Sequence, residues 1–246
     1  MLGSGTSHGV PMIGCECATC QSTDPRDSRS RASIVVTLDD GSTILVDTSP
    51  DLRTQALTHG LKRVDAILYT HSHADHVFGL DEVRRFNWLQ RESIPCYGDE
   101  QTLEDVRRIF AYAFDDAAPH GGGVPQIVLF SLAGEFCLCG AMFTPVPVLH
   151  GRRQIYGYRV GDFAYLTDCS QIPESSWPLL SGVKTVILDA LRERPHPTHL
   201  SLNEALGIIE RMKPDRAYFT HMARRRAHRS SIRIRSSLRC RLFRAK

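Results

Sequence analysis

At 246 residues, 42% of them hydrophobic and 23% charged, the chain is long enough to bury one sizeable core and too apolar for an intrinsically disordered protein. No apolar run approaches the 18 or so residues of a membrane span, and the first residues lack a basic segment followed by an apolar run and a cleavage site, so a folded cytoplasmic protein is expected. The formal charge of +3 averages two unlike parts: residues 223–246 hold nine arginines, one lysine and no acid, which leaves 20 basic against 27 acidic residues, a net of −7, in a body that argues against a nucleic-acid partner.

One domain is expected over 1–222, with a separate basic tail over 223–246. In chain order, ASIVVTL, DDG and STILVDT (32–48) are two β-branched runs around an Asp-Gly turn, which predicts a hairpin. VDAILYT (64–70) predicts a buried strand, LDEVRRFNWL (80–89) has helical spacing, and TLEDVRRIFAYAF (102–114) reads as a second helix. After the glycine and proline loop APHGGGVPQ (118–126), strands are predicted near 126–131, 135–148, 155–160 and 163–167. VKTVILDA (183–190) is a further buried strand, SLNEALGIIERM (201–212) a helix opened by a Ser201/Glu204 capping box, and RAYFTH (216–221) a last strand. Strand clusters separated by helices give an α/β or α+β class, with sheets covered by helices.

The strongest chemical signal is YTHSHADHVFGL (69–80), where His71, His73, Asp75 and His76 fall within six residues directly after a buried strand. In an extended turn His71 and His73 point one way while Asp75 and His76 swing to the other, which suits two adjacent divalent cations, zinc or manganese. Four residues are too few ligands for two metals. His150 in PVLHG, Asp168 in AYLTDCS and His221 in YFTHM, each closing an apolar run, supply the rest from the rigid ends of strands. Paired cations lower the pKa of a water between them from about 15.7 to near 7 and clamp phosphoryl oxygens, so phosphodiester hydrolysis is the natural reaction. His199, just before a helix amino terminus whose N–H groups favour phosphate, is the candidate general acid or transition-state stabiliser; an ordinary loop histidine is the alternative. Asp75 joins it among the catalytic candidates.

With its intact His-x-His-x-Asp-His, the chain resembles the metallo-β-lactamase superfamily from about Leu2 to Met222. The resemblance implies an αββα sandwich of two mixed sheets flanked by helices. It also implies that His71, His73 and His150 hold a first metal, that Asp75, His76 and His221 hold a second, and that Asp168 bridges them. GCECATC (14–20) and the H-x-x-L-N beginning at His199 are most similar to the PhnP-like phosphodiesterases, which implies a small phosphodiester substrate such as a cyclic ribose or nucleotide phosphate. The same layout is shared by PqqB-like proteins and tRNA 3′-processing endoribonucleases, the alternatives within the superfamily. No Gly- and Lys-rich RNA-gripping arm is visible. A metal-binding scaffold with little activity is the non-enzymatic alternative, because of the altered carboxyl-terminal segment.

Eight cysteines are too scattered for a compact disulfide framework, and Cys15, Cys17 and Cys20 read as ligands of an additional structural zinc. In the PhnP-like pattern the last ligand histidine lies in T-H-x-x-H and the second histidine completes that zinc; here its place is Arg224, a cation that cannot ligate, with His228 the nearest substitute. From Arg224 onward strand alternation and helical periodicity fade, which looks like a change of reading frame; a genuine basic extension touching RNA or an anionic membrane, and a disordered tail, are the alternatives. Cys137 and Cys139 are expected on one face of a strand, packed in the core. His8, His59, His120 and His196 are expected on loops or at the surface, and Arg152 and Arg153 as solvated side chains or contacts to a substrate phosphate. A homodimer stays open.

Overall fold

Around the Asp-Gly turn the two β-branched runs form strands β1 (Ile34–Thr37) and β2 (Thr43–Val46), paired antiparallel with Ile34 opposite Val46. The computed structural model describes residues 1–115 and 123–224 and the backbone of 239–240. Two compact units emerge, one of Met1–Leu2 with Ser33–Gly134 and one of Gly3–Ala32 with Glu135–Lys246.

In the first unit, β1 and β2 continue into β3 (Ala66–Leu68), β4 (Ile94–Gly98) and β5 (Ile127–Ser131), a mixed five-stranded sheet in the order β1-β2-β3-β4-β5 with the last three pairings parallel. Helices α1 (Leu52–His59), α2 (Ala74–Val77), α3 (Val83–Gln90) and α4 (Glu100–Ile109) connect them. Leu52, Val77, Val83, Phe86, Leu103 and Val106 of these helices pack with Leu45, Ile67, Ile94 and Cys96 of the strands into one core. Each such side chain removed from water contributes about 1.5–3 kcal/mol. The helix predicted at 80–89 begins as a 3-10 turn, Leu80–Glu82, before α3; the one predicted at 102–114 starts at Glu100, capped by Asp99, and ends in a separate 3-10 turn at Ala111–Phe114.

The second unit holds β6 (Phe136–Leu138), β7 (Ala141–His150), β8 (Arg153–Val160), β9 (Phe163–Leu166), β10 (Thr185–Asp189), β11 (Arg216–Thr220) and the two-residue β12 (Arg239–Cys240). Their order is β12-β11-β10-β9-β8-β7-β6, parallel from β12 to β9 and antiparallel from β9 to β6. Helix α5 (Leu202–Met212) lays Ala205 and Ile209 on Val186, Leu188 and Phe219 of this sheet. Its predicted capping box is present, with Ser201 and Glu204 each bonding the other's backbone N–H.

The strand predicted at 135–148 is divided by a turn at Cys139 and Gly140, both at positive φ, 48° and 77°. That corrects the expectation for the cysteine pair: Cys137 is exposed on β6 and Cys139 half-buried in the turn, so the two do not share a core-facing strand surface. No helix of the described residues is long and apolar enough to cross a membrane.

Candidate active site

In the first unit the parallel strands β2 and β3 deliver Asp47 and His71 just beyond their carboxyl ends. His71 Nε2 lies 3.0 Å from His73 Nδ1. Instead of the extended turn expected, the backbone enters a helical turn at Ala74, with His73 at its N-cap, and this sets Asp75 Oδ2 at 3.4 Å from His76 Nε2. Gly79 ends the segment: its N–H donates to the Thr48 carbonyl at 2.9 Å, and a Cβ there would overlap the Ser49 carbonyl.

Asp47 went unnoticed in the sequence, although it is an acid closing an apolar run, the same signal that singled out Asp168. It is fully buried, accepts from the Thr70 N–H at 2.8 Å and the Thr70 hydroxyl at 2.9 Å, and accepts the His76 Nδ1–H at 2.7 Å. Burial pushes its carboxyl up, against the pull of His76. With Nδ1 committed as a donor, His76 presents Nε2 as its lone-pair nitrogen.

In the second unit, His150, Asp168, Asp189 and His221 all stand at or just past the carboxyl ends of β7, β9, β10 and β11, at one edge of the sheet. His221 Nε2 is 3.3 Å from Asp168 Oδ2, and one donor atom each from His150, Asp168 and His199 lie within 4.8 Å of one another. The ring of His199 stacks on His221 at 4.6 Å and meets His150 edge-on at 4.7 Å. His150 donates Nδ1–H to the Thr198 carbonyl at 2.8 Å, and burial lowers its pKa. His199 donates Nδ1–H to Asp189 Oδ2 at 2.9 Å. Asp189 is the second residue that the sequence reading passed over, again an acid closing a β-branched run. It is fully buried, burial pushes its carboxyl well up, and its Oδ1 has no hydrogen-bond partner among the described residues.

Three residues of these clusters, Asp47, Asp168 and His221, hold positive φ of 63°, 52° and 56°. Such backbone in a residue with a Cβ costs about 1–3 kcal/mol and persists only where its surroundings over-determine it. The α5 terminus, expected to attract phosphate, is occupied by its own cap: the Ser201 N–H donates to the Glu204 carboxylate at 2.7 Å, and the Glu204 N–H to Ser201 Oγ at 3.4 Å. His199, whose side chain is 10% exposed, stands beside this closed cap, so its imidazole and not the helix end is the group presented there.

The donor chemistry fits divalent cations. His76, His150 and His199 each anchor Nδ1 on an oxygen and leave Nε2, the arrangement that fixes a metal-ligating imidazole. Buried carboxylates at Asp168 and Asp189 are costly as anions unless a positive charge offsets them. Cys15, Cys17 and Cys20 bring their sulfurs within 4.8 Å of one another, and the N–H of Cys20 together with the side chain of Cys15 draws the Cys17 thiol down to about 7.

A cavity of about 590 Å³ in the second unit is lined by His199, His196, His8, Arg192, Arg194 and Arg224, among others. His8 and His196 thus border a cavity, His8 exposed and His196 accepting from Thr198. Arg152 and His59 are exposed and Arg153 half-buried, and His120 and His228 lie outside the described residues.

The profile of the beta-lactamase superfamily domain matches residues 42–222. A crystal structure of a diphosphatase from the PhnP family aligns with a TM-score of 0.88 and 43% identity, covering 98% of this chain and 93% of that one. Zinc-bound PqqB from Methylobacterium extorquens aligns at 0.73 with 20% identity, over 90% of this chain and 87% of that one, a likeness of fold. An octanoyltransferase of Porphyromonas gingivalis is 35% identical over 226 residues, 91% of this chain; the chain spans 45% of that protein's length. Two mixed sheets carrying helices, a His-x-His-x-Asp-His segment at the end of β3 and a metal-compatible donor set place the chain in the metallo-β-lactamase superfamily, within its PhnP-like group of metal-dependent hydrolases.

Proposed function

We propose that the chain is a binuclear metal-dependent phosphodiesterase acting on small phosphodiesters, cyclic ribose or nucleotide phosphates among them. The ligands assigned are His71, His73 and His150 for one cation, Asp75, His76 and His221 for the other, and Asp168 as the bridge. Zinc or manganese suits these imidazole and carboxylate donors. When bound, such a pair supplies Lewis acidity and hydroxide at neutral pH.

The observation that carries the reading is His199, buried with Nδ1–H fixed on Asp189 and its ring against His150 and His221. That anchor selects the tautomer and turns Nε2 toward Asp168 Oδ2, 4.0 Å away. Protonated at Nε2, the ring stabilises negative charge on a phosphoryl group and hands its proton to the departing alkoxide. Asp189 keeps the resulting imidazole oriented. The likeness to a PhnP-family diphosphatase supports hydrolysis at a phosphoryl centre, and the net charge of −7 over residues 1–222 supports a small substrate over RNA.

A PqqB-like role is the second reading, supported by 35% identity over 77% of this chain to the Coenzyme PQQ synthesis protein B of Methylorubrum populi. A screen of cyclic ribose phosphates, cyclic nucleotides, simple diesters and precursor tRNA separates the readings. Turnover of the small diesters supports the proposal; turnover of precursor tRNA alone, or of none by metal-loaded protein, overturns it.

A further inference from the structure

Ser72 stands between His71 and His73, and its hydroxyl donates to Asp105 Oδ2 at 2.6 Å. A hydroxyl–carboxylate bond of that length is charge-assisted and roughly twice as strong as a neutral one. It crosses from the histidine turn to helix α4, 33 residues further along the chain.

The two ends of this bond are unequally held. On α4, Leu103 and Val106 are buried in the core, and Asp99 caps the first turn by accepting the Thr102 N–H at 3.1 Å. Asp105 Oδ1 accepts from Arg108 Nη2 at 2.9 Å and from Gln101 Nε2 at 3.4 Å, about one turn to either side. The carboxylate, 15% exposed, is thus fixed by its own helix while its second oxygen takes Ser72. The histidine turn is slighter. His71 is buried at the end of β3, with Nδ1 3.0 Å from the Thr70 hydroxyl. His73 is exposed and opens α2, a single turn of four residues. Such a short helix contributes little order of its own, and an exposed imidazole loses conformational freedom on becoming a ligand. A bond that served only to tie α4 to the sheet could end anywhere on the neighbouring chain. This one ends on the residue between two histidines whose Nε2 and Nδ1 lie 3.0 Å apart.

We propose that Asp105 is a positioning residue of the metal centre: through Ser72 it holds the backbone from His71 to His73 in the conformation that binds the cation assigned to those two histidines. The proposal rests on the binuclear reading and assigns Asp105 no contact with cation or substrate.

The test is titration of the metal-stripped full chain with manganese(II), followed by the paramagnetic resonance of the free ion, which counts and ranks the sites without turnover. Manganese favours imidazole and carboxylate donors over cysteine sulfurs. Two ions per chain are expected in the parent. Ser72→Ala, which leaves the carboxylate in place, should weaken one of the two by about 10–100-fold and leave the other unchanged. Asp105→Ala should do the same, and Asp105→Asn, which keeps an acceptor without the charge, should fall between it and the parent. Ser72→Ala/Asp105→Ala should bind no more weakly than either single variant, since both remove one bond. Parent-like binding of both ions by Ser72→Ala, where the parent holds two, overturns the proposal and leaves the binuclear reading intact. Additive losses in the double variant do so too, as does a lowered urea midpoint of the metal-free chain with unchanged affinities, the mark of a purely structural tie. A parent that holds fewer than two ions overturns the binuclear reading and the proposal with it.

Discussion

In the proposed phosphodiesterase, His199 of the hydrogen-bonded His199–Asp189 pair is the one assigned to meet the reacting group. His199→Ala is expected to lower kcat by about 10²–10⁴-fold, the usual contribution of a positioned proton donor, while metal content measured by atomic emission stays unchanged. Asp189→Asn keeps the shape and removes the anionic acceptor of Nδ1–H, so kcat should fall by about 10–100-fold with KM little altered. An Asp189→Asn loss as large as that of His199→Ala, accompanied by loss of metal, would make Asp189 a ligand instead. At this scale the sequence was most informative where chemistry is dense: four residues of metal-ligating type within six positions leave few other readings. Asp47 and Asp189 were harder to see, because an acid at a strand end acquires meaning only from the imidazole it faces, and His76 and His199 lie 29 and 10 residues away.

Among the elements, glycine sets how closely the histidine segment approaches the end of β2. Gly79→Ala drives a methyl group into the Ser49 carbonyl and should destabilise the fold by about 1–3 kcal/mol in urea denaturation. Ser201→Ala removes one side of the α5 capping box and should cost about 1 kcal/mol by the same measurement. The two changes are expected to differ in kind, since the first strains a buried approach and the second exposes a helix end. Strands with β-branched alternation and the capped α5 were legible from composition and spacing. Helix α1 was not, because it buries Gln55 and leaves Leu57 68% exposed, so its apolar residues trace no stripe for periodicity to detect. The break between β6 and β7 escaped for a related reason: Cys139 takes a left-handed backbone that its residue type does not advertise.

For the molecule as a whole, charge and metals are the governing quantities. The arginine-rich residues 225–238 and 241–246 lie outside the described residues, so the expectations of a changed reading frame, a basic extension or a disordered tail concern a part on which the two sheets are silent. Arg224→His supplies an imidazole beside the three-cysteine turn, and zinc release to a chromophoric chelator is expected to be slower than in the parent chain. Removing all metal should lower thermal stability as well as activity, because the buried carboxylate at Asp168, the assigned bridge, then loses its counter-charge. The most direct measurement is turnover of bis(p-nitrophenyl) phosphate by purified chain of known metal content. About two cations per chain besides any held by the cysteines, with turnover abolished by chelation and restored by zinc or manganese, is the predicted result. A chain that holds those two cations and leaves the diester intact would contradict it.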